Sequence, residues 1–358
     1  MGLASLDLVD FRSFPAAQFT PDPEGTTVLL APNGTGKTSI LEAIAYLGTA
    51  RSFRGAAREV MIRNDADDAY VRATLHHDDR EVLIESQLSR HGRSRIQVNR
   101  QPARTRRDLV DAVAVTTFAP EDVSVVRGGP VLRRDVLDDA LSLLEPSAGH
   151  LLEDTARVLR QRSSLLRQLH GRLAAAEATT LDVWDERLAV LGDELASRRD
   201  ALTVSLSPRV KALYGSLAGE DGKVTATYSR SWGGSLAEAL AAARRDDVRR
   251  GVSTVGPHRD DLLLTVDGRD ARTQASQGEQ RCLALALRIA VHLAATAARG
   301  EPPLLLLDDV FSELDLGRAA RLLELLPRGQ TLLTTAVPPP AGLADADVVD
   351  VRKLHRDG

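Results

Sequence analysis

The stretch TTVLLAPNGTGKTSILEAIAYL, residues 26–47, decides how this chain is read. Residues 26–30 form a short apolar run bounded by turn-forming residues, which predicts a strand. Helical spacing begins at Lys37 and continues to about Leu47, with Ile40, Leu41, Ile44, Ala45 and Leu47 on one face. Between strand and helix lies a turn with Gly34 and Gly36. Glycines there let backbone N–H groups approach an anion without side chains in the way, and the helix N-terminus adds partial positive charge. The segment follows G-x-x-x-x-G-K-[ST] except that its first glycine is Ala31. The expected phosphate cradle is therefore Ala31, Pro32, Asn33, Gly34, Thr35, Gly36, Lys37, Thr38 and Ser39. In it Lys37 reaches the β- and γ-phosphates, and the Thr38 hydroxyl ligates Mg²⁺.

A second segment, LLLLDDVFSELD at 304–315, reads as a buried parallel strand that delivers carboxylates at its C-terminal end. Asp308 is placed to hold Mg²⁺, and Asp309 to orient or deprotonate an attacking water. The shorter Asp stands where a catalytic acid is more often Glu. A third segment, Ser276-Gln277-Gly278-Glu279-Gln280, opens a long helix. A Ser followed by Gly at a helix N-terminus is both a cap and an anion-binding geometry.

Further strands are expected at 5–10, 14–19, 70–77, 81–88, 95–98, 113–118, 224–228, 261–266, 331–335 and 348–351, with hairpin chemistry at Asp267-Gly268. Residues 135–216 carry helical spacing. Leu151, Val158, Leu165, Leu169 and Leu173 share one face, and Leu181, Trp184, Leu188, Leu191 and Leu195 share that of a returning helix after a turn at 171–180. The expected division is 1–118 and 252–358 as the two parts of one α/β domain, with 119–251 as a mainly helical second domain.

The length of 358 residues fits about two domains of ordinary size. A single cysteine, Cys282, excludes an internal disulfide framework and a cysteine-based zinc site. The most apolar stretch, 283–298, is broken by Arg288 and His292, and the first residues lack a secretory pattern, so a cytoplasmic protein without a membrane span is expected. The net charge of −4 excludes a globally basic nucleic-acid binder but not a local basic face. Residues 90–107 supply one, with seven arginines and no acid. Arg93, Arg95, Arg104 and Arg106 are the candidate contacts to a phosphate backbone. Arg157, Arg160, Arg162, Arg167 and Arg172 form a second basic group. With 3% aromatic residues, base stacking on single strands has little support. No Asn-Lys pair occurs, which removes a GTPase reading.

Together the three segments resemble the ATP-binding-cassette superfamily, in its branch with SMC and Rad50 heads. In detail LDLVDFRSF, NGTGKTSILEAI, ARSFRG (50–55), FAPEDVSVVRGGPVLRRDVLD (118–138), GPHRDDL (256–262) and DDVFSELD are similar to the RecF family of bacterial recombination mediators. That resemblance implies an α/β fold: a P-loop ATPase head with a mixed sheet plus an antiparallel β layer, and an inserted helical domain. It implies ATP and Mg²⁺, a weak DNA-stimulated ATPase, and an ATP-dependent homodimer. In that dimer each nucleotide lies between residues 31–38 of one copy and Ser276, Gln277 and Gly278 of the other. Ser312, Leu314 and Asp315 match the loop along the dimer seam. Arg51 and Arg54 would reach phosphate or the other copy, Glu121 would lie near the lobe-coupling loop, and His258 would be positional. The switch histidine of many cassette ATPases falls near 334–336, where none occurs, and Thr335 is the candidate in its place. The implied partners are double-stranded and gapped DNA and RecR- and RecO-type mediator proteins. A transporter nucleotide-binding subunit and an SMC-like structural or defence ATPase are the alternatives.

Overall fold

Strand β-propensity and glycine punctuation set out fourteen strands in a computed structural model that describes residues 2–77, 80–145, 147–172, 174–219, 222–339, 341–343 and 345–354. Leu173 and the chain ends at 1 and 355–358 lie outside the described residues. In chain order the strands are β1 (Gly2–Phe11), β2 (Phe14–Phe19), β3 (Thr26–Leu30), β4 (Asp68–His77), β5 (Arg80–Ser89), β6 (Arg95–Val98) and β7 (Gln101–Pro102). There follow β8 (Val115–Phe118), β9 (Val224–Ser229), β10 (Asp261–Val266), β11 (Arg269–Asp270), β12 (Leu304–Leu307), β13 (Thr331–Thr335) and β14 (Asp347–Asp350).

The chain forms two units. The first gathers Met1–Val123, Leu213–Glu220 and Ala284–Gly358. Its parallel and antiparallel strands are divided between two sheets rather than mixed in one. One sheet has the order β14-β3-β13-β12-β8 and is parallel throughout. The other is antiparallel, in the order β2-β1-β4-β5-β6-β7. The helix Lys37–Thr49 packs in the core that both sheets share. Ile40, Leu41, Ala43, Ile44, Ala45 and Leu47 are all at most 1% exposed, so burial extends beyond the single apolar face read from spacing. Each large side chain so buried stabilises by about 1.5–3 kcal/mol. Between β6 and β7, Asn99 and Arg100 both have positive φ, the geometry of a tight two-residue hairpin.

The second unit comprises Ser124–Ala212 and Asp221–Leu283. It differs from the sequence boundary at 251/252. β10 pairs with β9 along its full length, which groups 252–283 with the helical segment. The hairpin expected at Asp267-Gly268 joins β10 to β11, with φ of 51° and 74°. Helices Pro130–Leu144, Ala148–Gln168 and Leu236–Arg250 lie in this unit. The returning helix runs unbroken from Ala175 to Ala218, through Pro208, and starts before the expected turn at 171–180 would end. Leu166, Leu169, Leu181 and Val248 form a small core.

One member of the second basic group is not a surface cation at all. Arg162 is wholly buried, with Nε donating to Asp185 at 2.6 Å and Nη1 to Asp247 at 2.8 Å and Ser253 at 2.6 Å. A buried guanidinium needs such partners, and its position on a polar-looking helix hid that need. Among the described residues one helix, Gln277–Arg299, is long and apolar enough to cross a membrane. Its most apolar window is 67% buried in the fold, as suits a core helix.

Candidate nucleotide site

In the parallel sheet, β13 lies between the P-loop strand β3 and the carboxylate strand β12. The three strand ends therefore converge. Gly34 and Gly36 have φ of 85° and 97°, in the left-handed region that side chains disfavour. At Gly36 a Cβ would also meet the Phe14 ring at 2.7 Å, so this position needs glycine for space as well. Ser39 and Ile40 N–H groups donate to the Gly36 carbonyl and start the helix. At the strand end, the Ala31 N–H donates to the Thr335 carbonyl at 3.3 Å.

Lys37 is buried and folded back on its own loop. Its Nζ donates to the Ala31 carbonyl at 2.6 Å, the Pro32 carbonyl at 3.0 Å and Asn33 Oδ1 at 3.4 Å. Thr35 closes the same turn through the Pro32 carbonyl. Burial pulls the Lys37 ammonium below its ordinary range, against the opposing pull of Asp309 and Asp308. Thr38 Oγ1 donates to Asp308 Oδ1 at 2.8 Å, which joins the P-loop to β12. Burial also raises the Asp308 carboxyl, opposed by hydroxyls from Thr334 and Thr38, with Glu121 and Asp309 adding to the rise. Both displacements disfavour charge in the site. A triphosphate beside Lys37, or a cation beside Asp308, would reverse them.

Asp309 holds a left-handed backbone, φ 45° and ψ 33°, which is uncommon outside glycine. Its Oδ1 is buried and makes no hydrogen bond. Its carbonyl accepts from the Ser312 hydroxyl at 2.9 Å. The oxygens of Thr38 and Asp308 suit a hard cation such as Mg²⁺, which takes few protein ligands and completes its shell with water and phosphate.

The other expected residues fall elsewhere. Ser276 and Gln277 are exposed at the start of Gln277–Arg299, with Gly278 half-buried. Ser276 makes a reciprocal cap with Glu279, N–H to Oε2 at 2.6 Å and Oγ from N–H at 3.3 Å. Asp315 is exposed and caps the helix Leu316–Leu325, while the adjoining Leu316 is 91% exposed. Thr335, the candidate for the missing histidine, spends its hydroxyl on the Val337 carbonyl at 2.9 Å. His258 Nε2 donates to the Ser253 carbonyl at 3.1 Å, and burial lowers its pKa. Arg51 and Arg54 are exposed. Arg93, Arg95 and Arg104 are exposed around the β6 hairpin, and Arg106 is half-buried in the first turn of the helix Arg106–Ala112.

Two features escaped sequence reasoning. Glu42, in the middle of the P-loop helix, is wholly buried and takes two bonds from Arg12, at 2.7 and 2.6 Å, and one from Ser52. An acid inside the apolar run ILEAIA is the signal that such a partner must exist. The other is Thr334, wholly buried beside both aspartates.

Residues 2–337 match the family described as the RecF/RecN/SMC N terminal domain. The chain is 42% identical to the DNA replication and repair protein RecF of Frankia alni, over 94% of each chain. It is 38% identical to that of Streptomyces avermitilis, over 94% of this chain and 93% of the relative. A solved structure of the recombination mediator protein RecF–ATP in the RecFOR pathway superposes with TM-score 0.87 at 28% identity, covering 94% of this chain and 92% of that one. An Smc head bound to the C-terminal winged-helix domain of ScpA superposes at 0.56 and 16% identity, a likeness of fold alone. With this agreement over nearly its whole length, the chain belongs to the RecF family, within the RecF/RecN/SMC group of ATPase heads.

Proposed function

We propose that this protein is an ATP-dependent DNA-binding protein of recombinational repair and replication, which grips duplex or gapped DNA as a nucleotide-joined homodimer. The observation that carries the reading is the convergence of Lys37 and Thr38, after β3, with Asp308 and Asp309, after β12, across the end of the intervening β13. Relatives named for DNA replication and repair, and one solved with ATP, support it.

Lys37 leaves the Ala31 and Pro32 carbonyls for the β- and γ-phosphates, while the loop N–H groups cradle them. Thr38 and Asp308 would hold Mg²⁺, which when bound offsets the charge developing on the phosphates. Asp309 orients the attacking water and takes up its proton. The exposed Ser276 and Gln277 and the half-buried Gly278 of a second copy close over the γ-phosphate, with the Asp315 segment along the seam. Loss of the γ-phosphate weakens that closure, so nucleotide state shifts a monomer–dimer population. Arg93, Arg95, Arg104 and Arg106 contribute to a basic surface for the DNA backbone, and RecR- and RecO-type proteins are the partners that pass the DNA on to recombinase.

Light scattering and DNA binding with ATP, ADP or no nucleotide test the reading. Dimer and duplex binding are expected with ATP alone, and Lys37→Ala abolishes both. A wild type that stays monomeric with ATP, Mg²⁺ and duplex refutes it.

A further inference from the structure

The parallel sheet places Thr334 between the two acids of the site, at the end of the strand that separates β3 from β12. Its side chain is wholly buried. Its hydroxyl nevertheless makes two bonds of opposite sense. It donates to Asp308 Oδ1 at 2.7 Å and accepts from the Asp309 N–H at 2.9 Å. A hydroxyl has one proton and two lone pairs, so this pairing uses its only donor on one acid and an acceptor on the other.

The two bonds fix different things. The first is charge-assisted and sets the rotamer of Asp308, whose same oxygen also accepts from Thr38. The second holds the peptide N–H of Asp309, a non-glycine residue in the left-handed region, where an aspartate persists only if its surroundings impose it. The neighbouring Thr335 carbonyl takes the Ala31 N–H, so the same strand end also steadies the start of the phosphate loop. Valine would keep the β-branched shape of Thr334 and lose both bonds.

We infer that Thr334 is a positioning residue, which sets the Asp308 carboxylate for the metal and the Asp309 carboxylate for the water through one hydroxyl. The inference rests on the nucleotide reading above. It also gives the strand end a structural task in a chain that lacks a histidine at 334–336.

The test compares wild type with Thr334→Val, Thr334→Ser and Thr334→Ala. A fluorescent ADP analogue with EDTA reports nucleotide binding without metal. Mn²⁺ bound to the protein–ADP complex, followed by electron paramagnetic resonance, reports the metal site independently of turnover. Metal-free nucleotide affinity is expected to stay within about twofold of wild type, because the Thr334 hydroxyl is spent on Asp308 and the Asp309 N–H. Mn²⁺ affinity and kcat are expected to fall about tenfold or more in the valine variant, the scale of a lost hydrogen bond to a charged group, with KM for ATP little changed. Serine restores both to within about threefold, since it keeps the hydroxyl. The alanine variant gives the same loss without a methyl against the carboxylate, should valine fold poorly. Wild-type Mn²⁺ affinity and kcat in folded valine or alanine variants overturn the inference, as does a serine variant as defective as valine. A wild type that binds no nucleotide overturns this inference and the proposed function together, whereas normal wild-type binding with an unaltered valine variant overturns this inference alone.

Discussion

Arg162 offers the sharpest stability test, because its buried network was invisible in the chain and its magnitude follows from the geometry. Arg162→Met keeps most of the side-chain volume and removes three hydrogen bonds. Asp247, wholly buried, is then left without its counter-charge. Removing one partner of a buried ion pair costs about 3–5 kcal/mol. Asp247 keeps two donors, the Thr254 N–H at 2.8 Å and hydroxyl at 2.6 Å, which places the loss toward the lower end. Asp185 is less exposed to this penalty, since it also faces Arg244 and remains partly hydrated. For a loss of about 3 kcal/mol in a unit of this size, the melting midpoint should fall by about 6–12 °C. Circular dichroism and urea unfolding measure it, with nucleotide affinity as a control. Adding Asp247→Asn should recover part of the loss, because the stranded charge is gone, and a double-mutant cycle gives the coupling. If Arg162→Met costs less than about 1 kcal/mol, the value of an exposed pair, the network is solvated in solution and the reasoning fails.

Asp309→Asn should bind ATP, accumulate dimer in light scattering, and turn over about a hundredfold or more slowly; normal turnover would place the base elsewhere. Reversing Arg93, Arg95, Arg104 and Arg106 to Glu should weaken duplex binding and lower the log–log salt slope by about 3 to 4, if each meets one phosphate. An unchanged slope would remove this segment from the DNA surface. His292 is 1% exposed, accepts from or donates to Thr116 through Nδ1 at 2.6 Å, and is lowered by burial to about 4. Its contribution is therefore complete above pH 6.5, where both states are neutral, and is lost as pH falls toward 4, to a limit of about 3 kcal/mol. His292→Gln should show a flatter acid limb in pH-dependent unfolding, and parallel curves would contradict that assignment.

Local patterns predicted most elements because the residues that make them are local. β2, β3, β10 and β13 run over the residues expected, since alternation, a glycine-rich turn and Asp267-Gly268 each act within a few positions. Sheet membership depended on distant pairing. Nothing within 261–266 says that it aligns with 224–229, so the grouping of 252–283 with the helical unit was not legible. The start of the long helix was misplaced for a related reason. Local turn chemistry extended the turn to Thr180, whereas the helix begins at Ala175 and runs through Pro208 with Leu202, Leu206 and Val210 buried along it.

The site divides along the same line. Lys37, Thr38, Asp308 and Asp309 were legible because phosphate chemistry demands particular residue types at short spacing. Glu42, Arg162 and Thr334 were not, because each acquires its role only when distant segments meet. Thr334 and Thr335 make the point within two residues. By residue type they are interchangeable, and Thr335 was the candidate only because it stands in the window where the resemblance places a switch histidine. Strand alternation sends them to opposite faces. One hydroxyl ends on the buried Asp308 carboxylate and the Asp309 N–H and the other on the Val337 carbonyl, and only the parallel register of β13 with β3 and β12 decides which.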